Sequence, residues 1–393
     1  MSVAAEESFG RDKTVPLRGL RIGLAIQSLD KLGGKERDAL AIAAGLAARG
    51  HEVTILTRSA RLPIASGVAV QVIGAAGWTN HGQARCFARA VAAVRSSGGF
   101  DLLLSFDKIK DAHAYYAADV CFAGRARGFR SWLPRYATYA RLEAECFAVG
   151  GPDILFLCRK QADDYRRYYD LAGDRAIILP PMLHDFDRPK FYDRRTAIRQ
   201  SFGIPASAML AVSVAVYPRQ KGVDRTLAAL PAIPELHLLA VGLNNVGWAK
   251  ASAAKHGLDA RTHFLGYRDD IGDILGAADL MLHPARVENT GLVILESLLA
   301  GVPVIASAAC GFAEYVERFG AGIVLAEPFE AAAYVEAIRA ALEPNRLAEL
   351  RRRARDCVPQ LRVEGGLERV LDAIEARLAR RYRWLAVDTS CAP

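Results

Sequence analysis

The chain has 393 residues, 52% of them hydrophobic, a formal net charge of +8 and seven cysteines. That length exceeds the usual size of one hydrophobic core, and the composition supplies apolar material for two, which excludes a disordered chain. An odd set of cysteines without a CxxC pair argues against a disulfide framework or a zinc site and for a reducing compartment; the positive charge admits nucleic acid, an acidic membrane surface or a phosphorylated substrate without choosing among them.

In chain order, residues 1–18 read as a flexible extension carrying Glu6, Glu7, Arg11, Asp12 and Lys13. They contain no apolar run long enough for a signal peptide, and no later segment reaches membrane-spanning length, so a cytoplasmic protein is expected. From Leu20 strand-like and helix-like runs alternate: strand 21–26, a loop through Gly34, helix 35–49 closed by Gly50, strand 53–57. This βαβ opening predicts a parallel sheet. Further strands are predicted at 68–73, 101–105, 154–158 and 176–179. The proline-rich stretch 180–189 has no periodicity and reads as an interdomain linker. A second series follows at 210–216, 236–241, 262–265, 280–283, 302–306 and 322–324, and residues 366–384 form an amphipathic, arginine-rich helix with Leu367, Val370, Leu371, Ile374 and Leu378 on one face. The expected fold class is α/β with two Rossmann-like domains.

The chemistry concentrates in Glu288-Asn-Thr-Gly-Leu-Val-Ile-Leu-Glu296, two carboxylates across a loop-to-helix junction. Asn289, Thr290 and Gly291 fall where backbone N–H groups lack intrahelical partners, a natural place for phosphate oxygens. Glu296, alone in an apolar helix, is costly to bury without a partner such as the diol of a nucleotide ribose; a solvent-facing Glu296 on an ordinary capped helix is the plainer alternative. Arg219 and Lys221 follow the first strand of the second series, where ligands of open α/β sheets bind, although solvated surface charges would have the same spacing. Gly33-Gly34 before the first helix lets backbone approach a ligand, or makes a tight turn. There is no GxGxxG, and the second strand ends in Thr57-Arg58 without an acidic ribose ligand, which argues against NAD.

Together these pieces resemble the retaining GT-B glycosyltransferases of the large fourth glycosyltransferase family, over residues 20–372. Within that family the closer resemblance is to the glucosyltransferases acting on the inner-core heptose of lipopolysaccharide, through Gly33-Gly-Lys-Glu-Arg-Asp38, Thr79-Asn-His-Gly82, Tyr116-Ala-Ala-Asp-Val-Cys-Phe122, Lys221-Gly-Val-Asp-Arg225 and Ala278-Asp-Leu-Met-Leu-His-Pro284. The resemblance implies two Rossmann-like domains facing across a cleft, 19–182 for the acceptor and 183–365 for the nucleotide sugar, with the C-terminal helix, about 366–388, crossing back to the first. It implies hexose transfer, glucose by preference, from a UDP-sugar to a lipopolysaccharide inner-core acceptor, with no cofactor and no metal. Catalytic roles fall on His113, Glu288 and Lys221. Donor binding falls on Gly33, Gly34, Arg188, Arg219, Lys221, Glu288, Asn289, Thr290, Gly291, Leu292 and Glu296, and acceptor binding on Asp38 and His81.

Departures from the family pattern are Val216, where many members carry an arginine, and Asn289-Thr290 beside the donor sugar. His113 stands where many relatives place an active-site histidine and closer ones an aspartate, and a merely buried histidine is an alternative. Asp185-Phe-Asp187 mimics a metal-binding DxD but lies in the linker. The stretch 124–141 interleaves arginines with aromatics; Arg125, Arg127, Arg130, Trp132 and Arg135 suit the surface of an anionic bilayer, as in the resembled enzymes, and predict a protein peripheral on the inner face of the bacterial inner membrane. A solvated basic helix-turn or an acceptor-phosphate site would also fit. A catalytically silent nucleotide-sugar-binding protein remains the alternative of another class. Nucleic-acid binding lacks its interleaved motifs, and no obligate protein partner is indicated.

Overall fold

In a computed structural model the protein is described over residues 19–74, 77–125, 128, 132–171, 173–183, 194–243 and 246–381, without the side chains of residues 378, 380 and 381. The first series of strands, β1 (Arg21–Ala25), β2 (Glu52–Thr57), β3 (Val68–Val72), β4 (Leu102–Ser105), β5 (Ala114–Tyr116), β6 (Asp153–Phe156) and β7 (Ala176–Ile178), makes a seven-stranded sheet in the order β3-β2-β1-β4-β5-β6-β7. The second, β8 (Met209–Val214), β9 (Leu236–Val241), β10 (Thr262–Phe264), β11 (Leu280–His283), β12 (Val304–Ser307) and β13 (Gly322–Leu325), is six-stranded in the order β10-β9-β8-β11-β12-β13. Every pairing is parallel. Helices cover both faces, so inner strands such as β4, β11 and β12 are buried at every position.

One strand escapes the sequence reading. Ala114–Tyr116 is only three residues long, too short to show a period, yet it pairs with β4 on one side and β6 on the other. Its two tyrosines are fully buried, and Phe106 packs on Tyr116 at 4.9 Å between ring centres. The carboxylate-rich part of the linker, Asp185 to Asp187, and Arg188 lie outside the described residues.

The helix Leu367–Arg381 packs against the helix Gly34–Ala48 of the first domain. Val370, Leu371 and Ile374 enter the core of that domain, and Leu371 lies so close that a Cβ on Gly45 would come within 2.5 Å of its Cδ1. Charge then fixes the register: Arg49 reaches Glu368, Asp372 and Glu375, and Arg377 reaches the buried Asp153 at 3.0 Å.

The second domain is locked by Asp279, just before β11. Its carboxylate takes Arg195 (2.5 Å), Arg199 (2.7 Å), Arg351 and the Leu210 N–H (2.8 Å), which ties the helices Arg195–Ser201 and Pro344–Asp356 to the start of the sheet. Burial alone would raise its pKa, but Arg351 and Arg195 outweigh that and hold it below the ordinary aspartate value. The stabilisation is therefore complete above about pH 3.9, the unfolded value, and is lost as pH falls through the lower folded value. Asp279→Ala leaves buried guanidinium groups uncompensated and should cost about 3–5 kcal/mol in denaturant unfolding. A loss below ~1 kcal/mol, the scale of a surface ion pair, would show that the network contributes little.

Candidate active site

In a doubly wound sheet, ligands bind at the carboxyl ends of the strands where the strand order reverses. Here the reversals fall between β1 and β4 in the first sheet and between β8 and β11 in the second. The loops at those four places carry Gly33-Gly34, Asp107, Lys221 and Glu288.

Glu288 is the centre of the second-domain half. One carboxylate oxygen accepts from the Lys221 ammonium and from His283 Nε2 at 3.1 Å; the other accepts from the Asn289 N–H at 3.1 Å. His283 is the last residue of β11, and its side chain is 1% exposed. Burial acts against the charged ring, but the neighbouring Cys310 and Glu288 outweigh it and raise its pKa to about 9. Burial likewise acts against the Glu288 anion, and His283 with Lys221 overrides it, holding the carboxyl near 2. At neutral pH the trio is two cations around one anion, a net positive cluster in a place sheltered from water. The loops that carry it touch closely: Gly222 has φ +79°, and a Cβ there would lie 2.0 Å from the Pro284 carbonyl oxygen.

From Glu288 the chain enters the helix Leu292–Leu299 through Gly291, whose φ of +79° is left-handed. Among the described residues the N–H groups of Thr290, Gly291 and Leu292 have no protein acceptor. Asn289 departs from expectation. Its N–H is directed to the Glu288 carboxylate, and its side-chain amide donates across the cleft to Ala118 O at 2.8 Å, so it bridges the domains instead of offering an N–H to a phosphate. Glu296 is 8% exposed and faces Arg37 of the first domain at 3.8 Å, which rules out the solvent-facing alternative.

In the first domain Gly33 caps the helix Gly34–Ala48, and a Cβ on Gly34 would meet nothing within 4 Å, so backbone there is open to approach. Lys35, on the first turn, donates to Asp107 at 2.9 Å, and Asp107 also accepts from the Gln27 N–H at 2.6 Å. Asp107 and Asp119 overcome burial and hold Lys35 above its ordinary pKa. Asp38 accepts from the Tyr116 hydroxyl at 3.0 Å and so ties the helix to β5. His81 opens the helix Asn80–Ser96, with Nε2 3.3 Å from Thr79 Oγ1.

His113 is a correction. It precedes β5, with Nδ1 accepting from Leu103 N–H and its own N–H donating to Leu103 O, both at 2.9 Å. Strand rise puts it about 13 Å from Ala117, at the amino end of the sheet, away from the cleft. The acid at the cleft end of β4 is Asp107, and neither it nor His283 stood out in the sequence. The available signal was position: both stand at the carboxyl ends of apolar strands.

Arg219 is exposed and stacks over Trp248 at 5.4 Å from the ring centre, while its carbonyl accepts from Arg286. Arg286 in turn forks onto Asp224 at 2.7 and 2.8 Å. In the basic segment Trp132 is 87% exposed; Arg125 and Arg135 are also exposed, whereas Arg127 and Arg130, like Arg188, lie outside the described residues. Among the described residues no group of three or more His, Cys, Asp or Glu gathers as metal ligands, and no helix is long and apolar enough to cross a membrane.

Comparison with known proteins agrees with this geometry. The family model described as glycosyl transferases group 1 matches residues 194–357. Lipopolysaccharide glucosyltransferase WaaG of Escherichia coli K12 is 34% identical over 331 residues, 80% of this chain and 88% of that one. The crystal structure of WaaG, a glycosyltransferase involved in lipopolysaccharide biosynthesis, superposes with a TM-score of 0.81 at 31% identity, covering 90% of this chain and 99% of the other. Anabaena HepE in complex with UDP-glucose, at 18% identity and a TM-score of 0.71 over 92% of this chain and 100% of its own, shares the fold. A relative above 30% identity, matched over most of both chains, together with two facing Rossmann-like domains, makes this chain a glycosyltransferase of the GT-B fold that belongs to the WaaG-like group 1 glycosyl transferases.

Proposed function

We propose that the protein is a retaining hexosyltransferase that moves glucose from UDP-glucose to a heptose of the lipopolysaccharide inner core. The observation that carries the reading is Glu288, held ionised by Lys221 and His283 at the carboxyl ends of β8 and β11, facing the first domain. Its relation to WaaG supports the choice of sugar and acceptor. As the bond from the sugar C1 to the diphosphate oxygen lengthens, negative charge gathers on the diphosphate and positive charge on the sugar ring. Lys221 and the N–H groups of Thr290, Gly291 and Leu292 meet the former, Glu288 holds sugar hydroxyls, and Glu296 with Arg37 closes on the ribose. Preorganised donors of this kind lower the barrier more than they tighten ground-state binding. Gly33 and Gly34 admit the diphosphate to the first domain, and a donor-binding role is also proposed for Arg188. Arg219 with Trp248 flanks the nucleotide end. Asp38 supports the acceptor wall through Tyr116, and His81 stands at its rim.

In this reading protein cations do the work of a metal. Lys221→Ala and Glu288→Ala should each lower transfer by about 10²-fold or more with the fold retained by circular dichroism, and the wild type should keep its rate in excess chelator. Near-native turnover by either variant, or activity lost in chelator and restored by manganese, would remove these roles.

His283 gives a pH signature. Its folded pKa is raised, so its contribution to Glu288 is complete below the ordinary histidine value near 6.5 and lost as pH rises through about 9. Transfer should fall above that pH in the wild type, whereas His283→Gln, which can still donate to Glu288 but does not titrate, should lack this limb. Superimposable profiles would sink the assignment.

The acceptor of such a reaction is anchored in a membrane, and the protein is proposed to lie on the cytoplasmic face of the inner membrane. Exposed Trp132 and Leu133 beside Arg135 support attachment there, since aromatic rings settle at headgroup level and each surface cation adds roughly 1 kcal/mol on an anionic leaflet. Vesicles rich in phosphatidylglycerol should co-sediment the protein in a salt-sensitive way, neutral vesicles little, and Arg127, Arg130 and Arg135 changed together to Ser should lose most of the binding. Equal binding to both vesicle types would end the membrane role of this segment.

A further inference from the structure

Beside Glu288 the two domains enclose a crevice of about 210 Å³. One wall is the loop after β5 and the helix Arg159–Arg166 with the two residues that follow it; the other is the loops after β11 and β12. Its volume falls below the roughly 300–1,000 Å³ of pockets that hold whole small ligands, so it suits one substituent of a larger molecule.

Four cations line it, Arg125, Lys160, Arg167 and Arg286, against two carboxylates, Asp164 and Glu288. Neither carboxylate is free to neutralise the excess. Glu288 is already taken by Lys221 and His283, and Asp164 holds Lys160 at 2.6 Å, leaving Arg167 at a loose 3.5 Å. Arg286 is satisfied by Asp224. The Arg125 guanidinium has no carboxylate partner among the described residues. Gly124 lets the wall close, because a Cβ there would come within 3.0 Å of the Tyr168 hydroxyl oxygen.

We propose that this crevice binds an anionic group, phosphate or carboxylate, carried by the acceptor that receives the sugar beside Glu288. The inference rests on the hexosyltransferase reading above and adds the charge of its acceptor. Two guanidinium groups with little compensation, Arg125 and Arg167, facing one crevice favour an oxyanion, because the planar fork of arginine matches the paired oxygens of either group. An uncharged acceptor would leave the positive excess without a partner at the contact.

The test is steady-state kinetics of the full chain with UDP-glucose and lipopolysaccharide truncated to its inner-core heptose. For the Arg125→Gln, Arg167→Gln double variant the acceptor KM should rise about ten-fold while the KM for UDP-glucose stays put. Inorganic phosphate should compete with the acceptor in the wild type and lose that effect in the variant. Removing acceptor phosphates with phosphatase, or amidating its carboxylates, should each be tried with the wild type, and the treatment that reproduces the variant's KM identifies the group. An unchanged acceptor KM, a matched rise in the KM for UDP-glucose, or phosphate inhibition that survives in the variant would overturn the proposal. Hydrolysis of UDP-glucose without acceptor checks the underlying reading separately, since it needs the donor site and not the crevice. Its absence together with absent transfer would take down the hexosyltransferase reading itself.

Discussion

The contact of Lys221 and His283 with Glu288 is the constraint on which the cleft is built. Lys221 stands on the loop after β8, His283 ends β11 and Glu288 lies on the loop after it, at the place where the strand order of the second sheet reverses. A carboxylate this sheltered stays ionised only with cations at contact distance, so the two loops are held together electrostatically as well as by the close approach of Gly222 to Pro284. Once the loops are joined, Gly291 can turn the chain into the helix Leu292–Leu299 with its unpaired N–H groups beside the same carboxylate. His283, Glu288 and a helix terminus with unpaired N–H groups thus share one short stretch of chain.

The domains meet through backbone more than through apolar surface at this point. The Asn289 amide donates to Ala118 O, and the Asn289 carbonyl accepts from the Cys158 thiol at 3.5 Å. Gly311 packs onto both, since a Cβ there would lie 2.2 Å from Asn289 O and 2.4 Å from Cys158 Sγ. Around this tight contact stand looser charged pairs, Arg37 with Glu296 at 3.8 Å and Arg159 with Glu314 at 4.0 Å. The Arg159–Glu314 pair is exposed on both sides and contributes little energy, whereas Glu296 is buried, and the register of the contact rests on the glycine-lined approach of the backbones. The C-terminal helix adds a covalent limit by returning the chain to the first domain.

The distribution of charge qualifies what a net value of +8 means. Many arginines are structural: Arg195, Arg199 and Arg351 surround Asp279, Arg175 caps the carbonyls of Cys146, Ala148 and Pro152, and Arg49 clamps the C-terminal helix. Among the described residues, cations outside these networks line the cleft, Arg125 and Arg167 among them.

The amino-acid sequence alone determined the alternation of strands and helices, the two Rossmann-like halves and the position of Glu288, Glu296 and Lys221 on loops and helix. Local periodicity and chain order carry that information, because apolar runs closed by glycine or proline imply parallel strands whose carboxyl ends bear ligands. The short strand Ala114–Tyr116 was not legible, since three residues have no period and its place in the sheet is set by β4 and β6. His113 was misplaced for the same reason: without that strand, nothing told one end of the sheet from the other. Asp107 with Lys35, His283 behind Glu288, Arg37 against Glu296 and the cations around Arg167 were decided only by tertiary structure. Each is a meeting of residues far apart in the chain or on different loops, and one-dimensional spacing does not encode which loops a folded sheet brings together.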